Sequence, residues 1–134
     1  MNMNLSNEYV QQRLVEKFGD QVHSFEEPYG MLTFEAPKEL NLKVLNFLFD
    51  DVHLQYRFLT DLTGVHYPDQ AGRELAVVYH LHNLSANHRI RFKVFTDIQT
   101  PDVYTASGLF SAANWMERET YDFFGVNFVG HPNL

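Results

Sequence analysis

The 134-residue sequence contains no cysteine. That excludes a disulfide framework, a cysteine nucleophile, a thiolate zinc site and a Cys-ligated iron–sulfur cluster. Positive charge is scarce: 10 Lys and Arg face 17 Asp and Glu, for a formal net charge of -7. Such a surface repels phosphate backbones, so nucleic acid is not an expected partner. No apolar run approaches the roughly 20 residues of a membrane-spanning helix, so no direct membrane span is expected. The start, Met1-Asn2-Met3-Asn4-Leu5, lacks the basic and apolar regions of a signal peptide. The Asn-Leu-Ser triplets at Asn4 and Asn83 are therefore read as chance glycosylation matches. Neither G-x-G-x-x-G, G-x-x-x-x-G-K-[ST] nor G-x-S-x-G occurs, and Ser107-Gly108-Leu109-Phe110-Ser111 fits none of them.

What is present is ordinary globular material rich in rings. Hydrophobic residues make up 45%, and 12 Phe and 7 Tyr supply much of the apolar volume. The length predicts a single domain over 1–134. Ser6 can cap a helix over 7–18 whose stripe is Val10, Leu14 and Phe18, with Leu5 and Val10 spaced as a hydrophobic staple and Gly19 as the stop. Short strands are expected at 22–25 and 31–36, joined through Pro28-Tyr29-Gly30. Pro37 can open a second helix presenting Leu40, Val44, Leu45 and Leu48 to the core. Strands follow at 55–62, 75–82 and 88–95, with a loop through Gly64, Pro68 and Gly72 between the first two and a hairpin turn over 83–87. A turn near 104–110 and a helix over 114–124, stopped by Gly125, complete the order αββαβββα. The fold class is α+β: a mainly antiparallel or mixed sheet covered by helices.

Four constellations carry possible chemistry. His80 and His82 share a strand face, and His88 lies across the hairpin, so three imidazoles could approach as a metal site requires. No acidic fourth ligand lies nearby, and polar histidines on a solvated face are the favoured reading. The stripe Arg89, Arg91, Lys93 could meet an acidic partner. The favoured reading is a solvent-facing strand surface that also discourages edge pairing. In the C-terminal helix Glu119 and Asp122 are adjacent at i, i+3, and with His131 they permit a stand-alone hydrolase. The plainer alternative there is an exposed Arg118–Asp122 pair. Finally, these charges are bracketed by Trp115, Met116, Tyr121, Phe123 and Phe124, a pattern that predicts a helix buried on two sides, one of them against another protein.

The run Ala113-Asn114-Trp115-Met116-Glu117-Arg118-Glu119-Thr120-Tyr121-Asp122-Phe123-Phe124-Gly125-Val126-Asn127-Phe128-Val129-Gly130-His131-Pro132 closely resembles, without a gap, the signature of the 30 kDa subunit of proton-pumping NADH–quinone oxidoreductase, respiratory complex I. Val78-Tyr79-His80-Leu81 and Asn87-His88-Arg89-Ile90-Arg91 resemble the central hairpin of the same family. The resemblance implies a structural and assembly subunit, non-catalytic alone, with no catalytic, cofactor-binding or metal-ligating residue of its own. NADH, FMN, iron–sulfur clusters and quinone would belong to neighbouring subunits. Its partners would be the 49 kDa subunit, near the quinone module, and other subunits of the peripheral arm. It would sit peripherally on the cytoplasmic side of a bacterial plasma membrane. Asn114, Trp115, Glu117, Arg118, Glu119, Asp122, Gly125, Gly130, His131 and Pro132 would hold the signature helix and form the inter-subunit contact. The Gly-His-Pro turn would lead to the family's C-terminal tail, which a chain ending at Leu134 is expected to lack. Related membrane-bound hydrogenases and other quinone-linked complexes use similar subunits, which leaves the electron donor open.

Overall fold

The computed structural model describes residues 5–134, so Asn4 lies outside the described residues. Helix α1 spans Asn7–Phe18, with the Ser6 hydroxyl accepting from the Tyr9 amide at 3.1 Å. Strands β1 (His23–Glu26) and β2 (Leu32–Glu35) form an antiparallel pair. Pro37 precedes a 3₁₀ turn over Lys38–Leu40 rather than opening α2, which runs Asn41–Asp50 and buries Val44, Leu45 and Leu48.

The next strand begins later than its apolar pattern predicts. Gln55 takes a φ of 48° and the Tyr56 amide bonds back to Leu48 O at 2.8 Å, so these residues finish the turn off α2. Strand β3 is Phe58–His66 and therefore contains Gly64, which the sequence pattern assigns to a loop. Strands β4 (Leu75–Asn83) and β5 (His88–Thr96) form the long hairpin. Its turn engages Asn83, whose Nδ2 donates to Leu54 O at 2.6 Å; that side chain is inside the fold, not at a glycan site.

The five strands are ordered β1-β2-β5-β4-β3, and β2 runs parallel to β5, so the sheet is mixed. A local period of two cannot announce that parallel pairing, because it joins strands far apart in sequence. Two short strands, β6 (Asp102–Tyr104) and β7 (Asn127–Val129), form a separate parallel pair on either side of α3 (Ala112–Phe124). By local pattern alone they are a turn and an extended stretch.

One face of the large sheet carries the core. Leu32 and Phe34 of β2, Leu75, Val77, Tyr79 and Leu81 of β4, and Ile90, Phe92 and Val94 of β5 join Val10 and Leu14 of α1, Val44, Leu45 and Leu48 of α2, and Ala113 of α3 in one buried cluster. Phe25, Phe34, Phe92 and Tyr79 stack in series across the strands at centroid separations of 5.5, 4.9 and 5.6 Å. The alternate residues of β4 and β5 lie outside this cluster, on the opposite face, where Ala76, Val78 and His82 are buried and the Arg73 guanidinium lies 4.0 Å over the Phe95 ring. Because β5 is the middle strand of five, its basic stripe has no unpaired edge to protect.

Candidate functional site

Helix α3 is positioned by close approach to β3. A Cβ at Gly64 would lie 2.6 Å from Phe124 Cδ2, so only glycine lets the end of the helix settle on the strand. Gly125 then stops the helix in the left-handed region (φ 77°, ψ 12°), its amide bonding to Tyr121 O at 2.9 Å.

The signature residues divide sharply at this helix. Glu117 is fully buried: Oε1 accepts from the Thr105 hydroxyl and Oε2 from the Ala106 amide at 2.7 Å. The His131 side chain is equally buried, with Nε2 3.9 Å from Glu117 Oε1. Its Nε2 lies 2.8 Å from Asn114 O and can only donate there, while Nδ1 accepts from the Asn133 amide at 2.9 Å. These bonds fix the orientation of the His131 ring against Glu117. Burial raises the Glu117 pKa above the usual carboxylate value of 4.5, while the Ala106 amide, the Thr105 hydroxyl and His131 pull it back. Gly130 (φ 87°) closes the turn over Thr105, whose Cγ2 would lie 3.3 Å from an added Cβ. Together these groups form a polar knot binding α3 to the segment after β6 and to the Gly130-His131-Pro132 turn. A second buried tie lies alongside: Asn41 Nδ2 donates to Tyr79 Oη at 3.1 Å and to Tyr104 O at 2.8 Å.

The opposite side of the same helix faces outward. Trp115 is 63% and Phe123 80% exposed, and Arg118, Glu119, Tyr121 and Asp122 are exposed with them. Among the described residues no ion pair engages Arg118, Glu119 or Asp122, so the expected Arg118–Asp122 pair does not form. A shallow cavity of 230 Å³ between α3 and β3 is lined in part by Asp61, Thr63, Glu119 and Phe123.

The other constellations come apart. Glu119 and Asp122 lie on the outer side of α3 while the His131 side chain is sealed against Glu117, so the hydrolase grouping is not assembled. His88 pairs with Asn83 and points to the helix side of the sheet, whereas His80 and His82 occupy the other face. On the helix side Nε2 of His88 donates to Asn7 Oδ1 at 2.8 Å and Nδ1 accepts from the Tyr56 hydroxyl at 2.6 Å. Burial lowers the pKa of His88 below 6.5, with a smaller push from His82. Sequence reasoning missed Thr105, Ala106 and Asn41: the first two serve Glu117 from another element, and nothing in their spacing signals it.

The family described as respiratory-chain NADH dehydrogenase, 30 kDa subunit, matches residues 34–134. A curated relative from Caulobacter vibrioides, named as one of the subunits of NADH-quinone oxidoreductase, is 47% identical over 106 residues, which is 79% of this chain and 53% of that protein. Its like-named counterpart from Methylorubrum populi is 42% identical over 123 residues, 92% of this chain and 55% of that one. The chain thus spans about half the length of the curated relatives it matches. Among solved structures, the trypsin-resistant fragment of Nqo5 superimposes with a TM-score of 0.77 at 29% identity, covering 93% of this chain and 98% of the other. A chain of the membrane-bound sulfane sulfur reductase, an archaeal respiratory membrane complex, shares the fold with a TM-score of 0.79 at 23% identity, covering 95% and 72%. The signature helix, the fold and these matches converge: the chain belongs to the 30 kDa subunit family of the respiratory-chain NADH dehydrogenase.

Proposed function

We propose that the chain is a structural and assembly subunit in the peripheral arm of a proton-translocating NADH–quinone oxidoreductase, carries no cofactor itself, and seats on the 49 kDa subunit through the outer side of α3. The observation that carries this reading is the pairing of large exposed rings with unpaired charges on one helix: Trp115 and Phe123 beside Arg118, Glu119 and Asp122. Trp, Tyr and Arg are the residue types that dominate binding energy at protein interfaces, and aromatics held out in water by a rigid helix are costly unless a partner covers them. The polar knot around Glu117 and His131 keeps that helix in one orientation, so the outer residues meet a partner pre-organised. NADH oxidation and quinone reduction would occur in neighbouring chains, and the complex would hold this subunit at the cytoplasmic face of the membrane. The names of the curated relatives support the choice of complex.

The test is co-expression with the 49 kDa subunit. The parent pair should co-purify, and Trp115→Ser with Phe123→Ser should abolish co-purification while leaving the melting temperature of the chain unchanged. Undiminished co-purification of that double variant overturns the reading. The purified chain alone should show no NADH oxidation.

A further inference from the structure

We propose that the face of the five-stranded sheet opposite the core is a second docking surface, one that receives an acidic segment of another polypeptide. Register places Arg89, Arg91 and Lys93 of β5 on this face beside His82, His80 and Val78 of β4. On a strand such positions recur about every 7 Å, so the three cations form a straight row. The row lies at the centre of the sheet, flanked by β2 and β4, where the protection of an edge gives no reason for it.

The row is also unneutralised from within. The carboxylates that register brings to this face are Glu26, Glu35 and Asp61 on the flanking strands β1, β2 and β3. Glu35 is taken by Arg73 at 2.8 Å, and Asp61 stands opposite His80. Among the described residues no carboxylate lies within the ion-pair distance of Arg89, Arg91 or Lys93. Arg91 is half-buried and braced, its Nε donating to Thr33 Oγ1 at 3.2 Å, so part of its ordering cost is met before any partner arrives. Phe58, 49% exposed next to His82, offers an apolar anchor at one end of the row.

Three unpaired cations in a row, the middle one braced, on a chain of net charge -7 select for a partner of opposite local charge. The surrounding acidity repels a phosphate backbone as a whole, which leaves a short acidic stretch of polypeptide as the ligand whose chemistry fits. This surface differs in sign from the outer side of α3, where Glu119 and Asp122 predominate, so the two would engage different segments.

The test uses the chain with a fluorescent, unstructured 16-residue Glu/Gly/Ser peptide, its Lys counterpart and an oligo(U) RNA, followed by anisotropy at low salt. The acidic peptide should bind saturably, and binding should weaken at least tenfold in Arg89→Gln/Lys93→Gln and at least threefold in Lys93→Gln alone. Raising salt to about 0.2 M should weaken it similarly as the Debye length shortens. Arg118→Gln, on α3, should bind the peptide like the parent. Circular dichroism melts check that each variant is folded. Absence of acidic-peptide binding, equal binding by the β5 variants, or tighter binding of the RNA overturns the proposal. Failure of the α3 reading shows separately, as intact co-purification of the Trp115/Phe123 variant.

Discussion

The two sides of α3 are built from the same thirteen residues and do opposite things. The inner side sets Ala113, Glu117 and Thr120 into the fold, with Met116 and Phe124 packed on the core cluster. The outer side presents Trp115, Arg118, Glu119, Asp122 and Phe123 to solvent. Charge alone does not separate them: Glu117 is buried and Glu119, two positions on, is exposed, because a step of two on a helix turns the side chain by about 200°. What distinguishes Glu117 is that Thr105 and the Ala106 amide are waiting for it. A signature therefore mixes residues that hold the helix with residues that stay exposed on its outer side, and substitutions should sort them by what they damage.

The largest effect is expected at the buried carboxylate. Glu117→Leu leaves the Ala106 amide and the Thr105 hydroxyl without their acceptor, and should cost about 3 kcal/mol. The shift of the urea midpoint measures it, and a loss near zero would mean that the knot does not hold the helix. Gly64→Val comes next. The added carbons collide with the Phe124 ring and should cost about 2 kcal/mol. Combined with Phe124→Ala, the loss should fall short of the sum of the two single losses, since removing the ring relieves the clash. Gly125→Ala forces a side chain into a φ of 77° and should cost about 1 kcal/mol by the same measurement.

Acid sharpens the contrast elsewhere in the fold. The folded-state pKa of His88 is below 6.5, so at lower pH the unfolded chain binds the proton more readily. Its contribution to stability is complete above pH 6.5 and is lost as the pH falls from there towards the folded value. Urea midpoints measured from pH 7.5 to 5.5 should decline, and His88→Gln should flatten part of that decline; His80, also lowered by burial, retains the rest. Glu117 acts in the other sense, favouring the fold most at acid pH and losing that contribution as pH rises through its raised pKa. The smallest effect on stability belongs to the outer side of α3. Trp115→Ser should move the midpoint by less than about 0.5 kcal/mol while weakening the proposed docking on the 49 kDa subunit.

Much of the fold was legible because it is written in local periodicity. The stripe of α1, the alternation Ile90, Phe92, Val94 in β5 and the stop at Gly125 each follow from contacts within a few residues. The parallel pairing of β2 with β5 and the three-residue strands β6 and β7 were hidden, since they depend on partners distant in the chain. The candidate site was half legible. The resemblance picked out the segment; of the two buried sides expected from its aromatics and charges, the fold itself buries one and leaves the other exposed. Which acid faced in, and that His131 belongs with Glu117 rather than with Glu119 and Asp122, followed only once Thr105 and the Gly130 turn were placed against α3.

The sequence by itself determined the family, the α+β class, the extent of α1 and the want of thiolate chemistry, because composition, periodicity and a long ungapped signature are properties of neighbouring residues. Only the tertiary structure decided that Gly64 is a seat for Phe124, that the imidazoles of His80 and His88 look to opposite sides, and that the basic row of β5 stands on the middle strand of the sheet, on the face opposite the core. Those facts depend on which strand lies beside which and on what a helix leaves uncovered. The physical reason is that burial and strand order arise from contacts between distant parts of the chain, which local pattern does not encode.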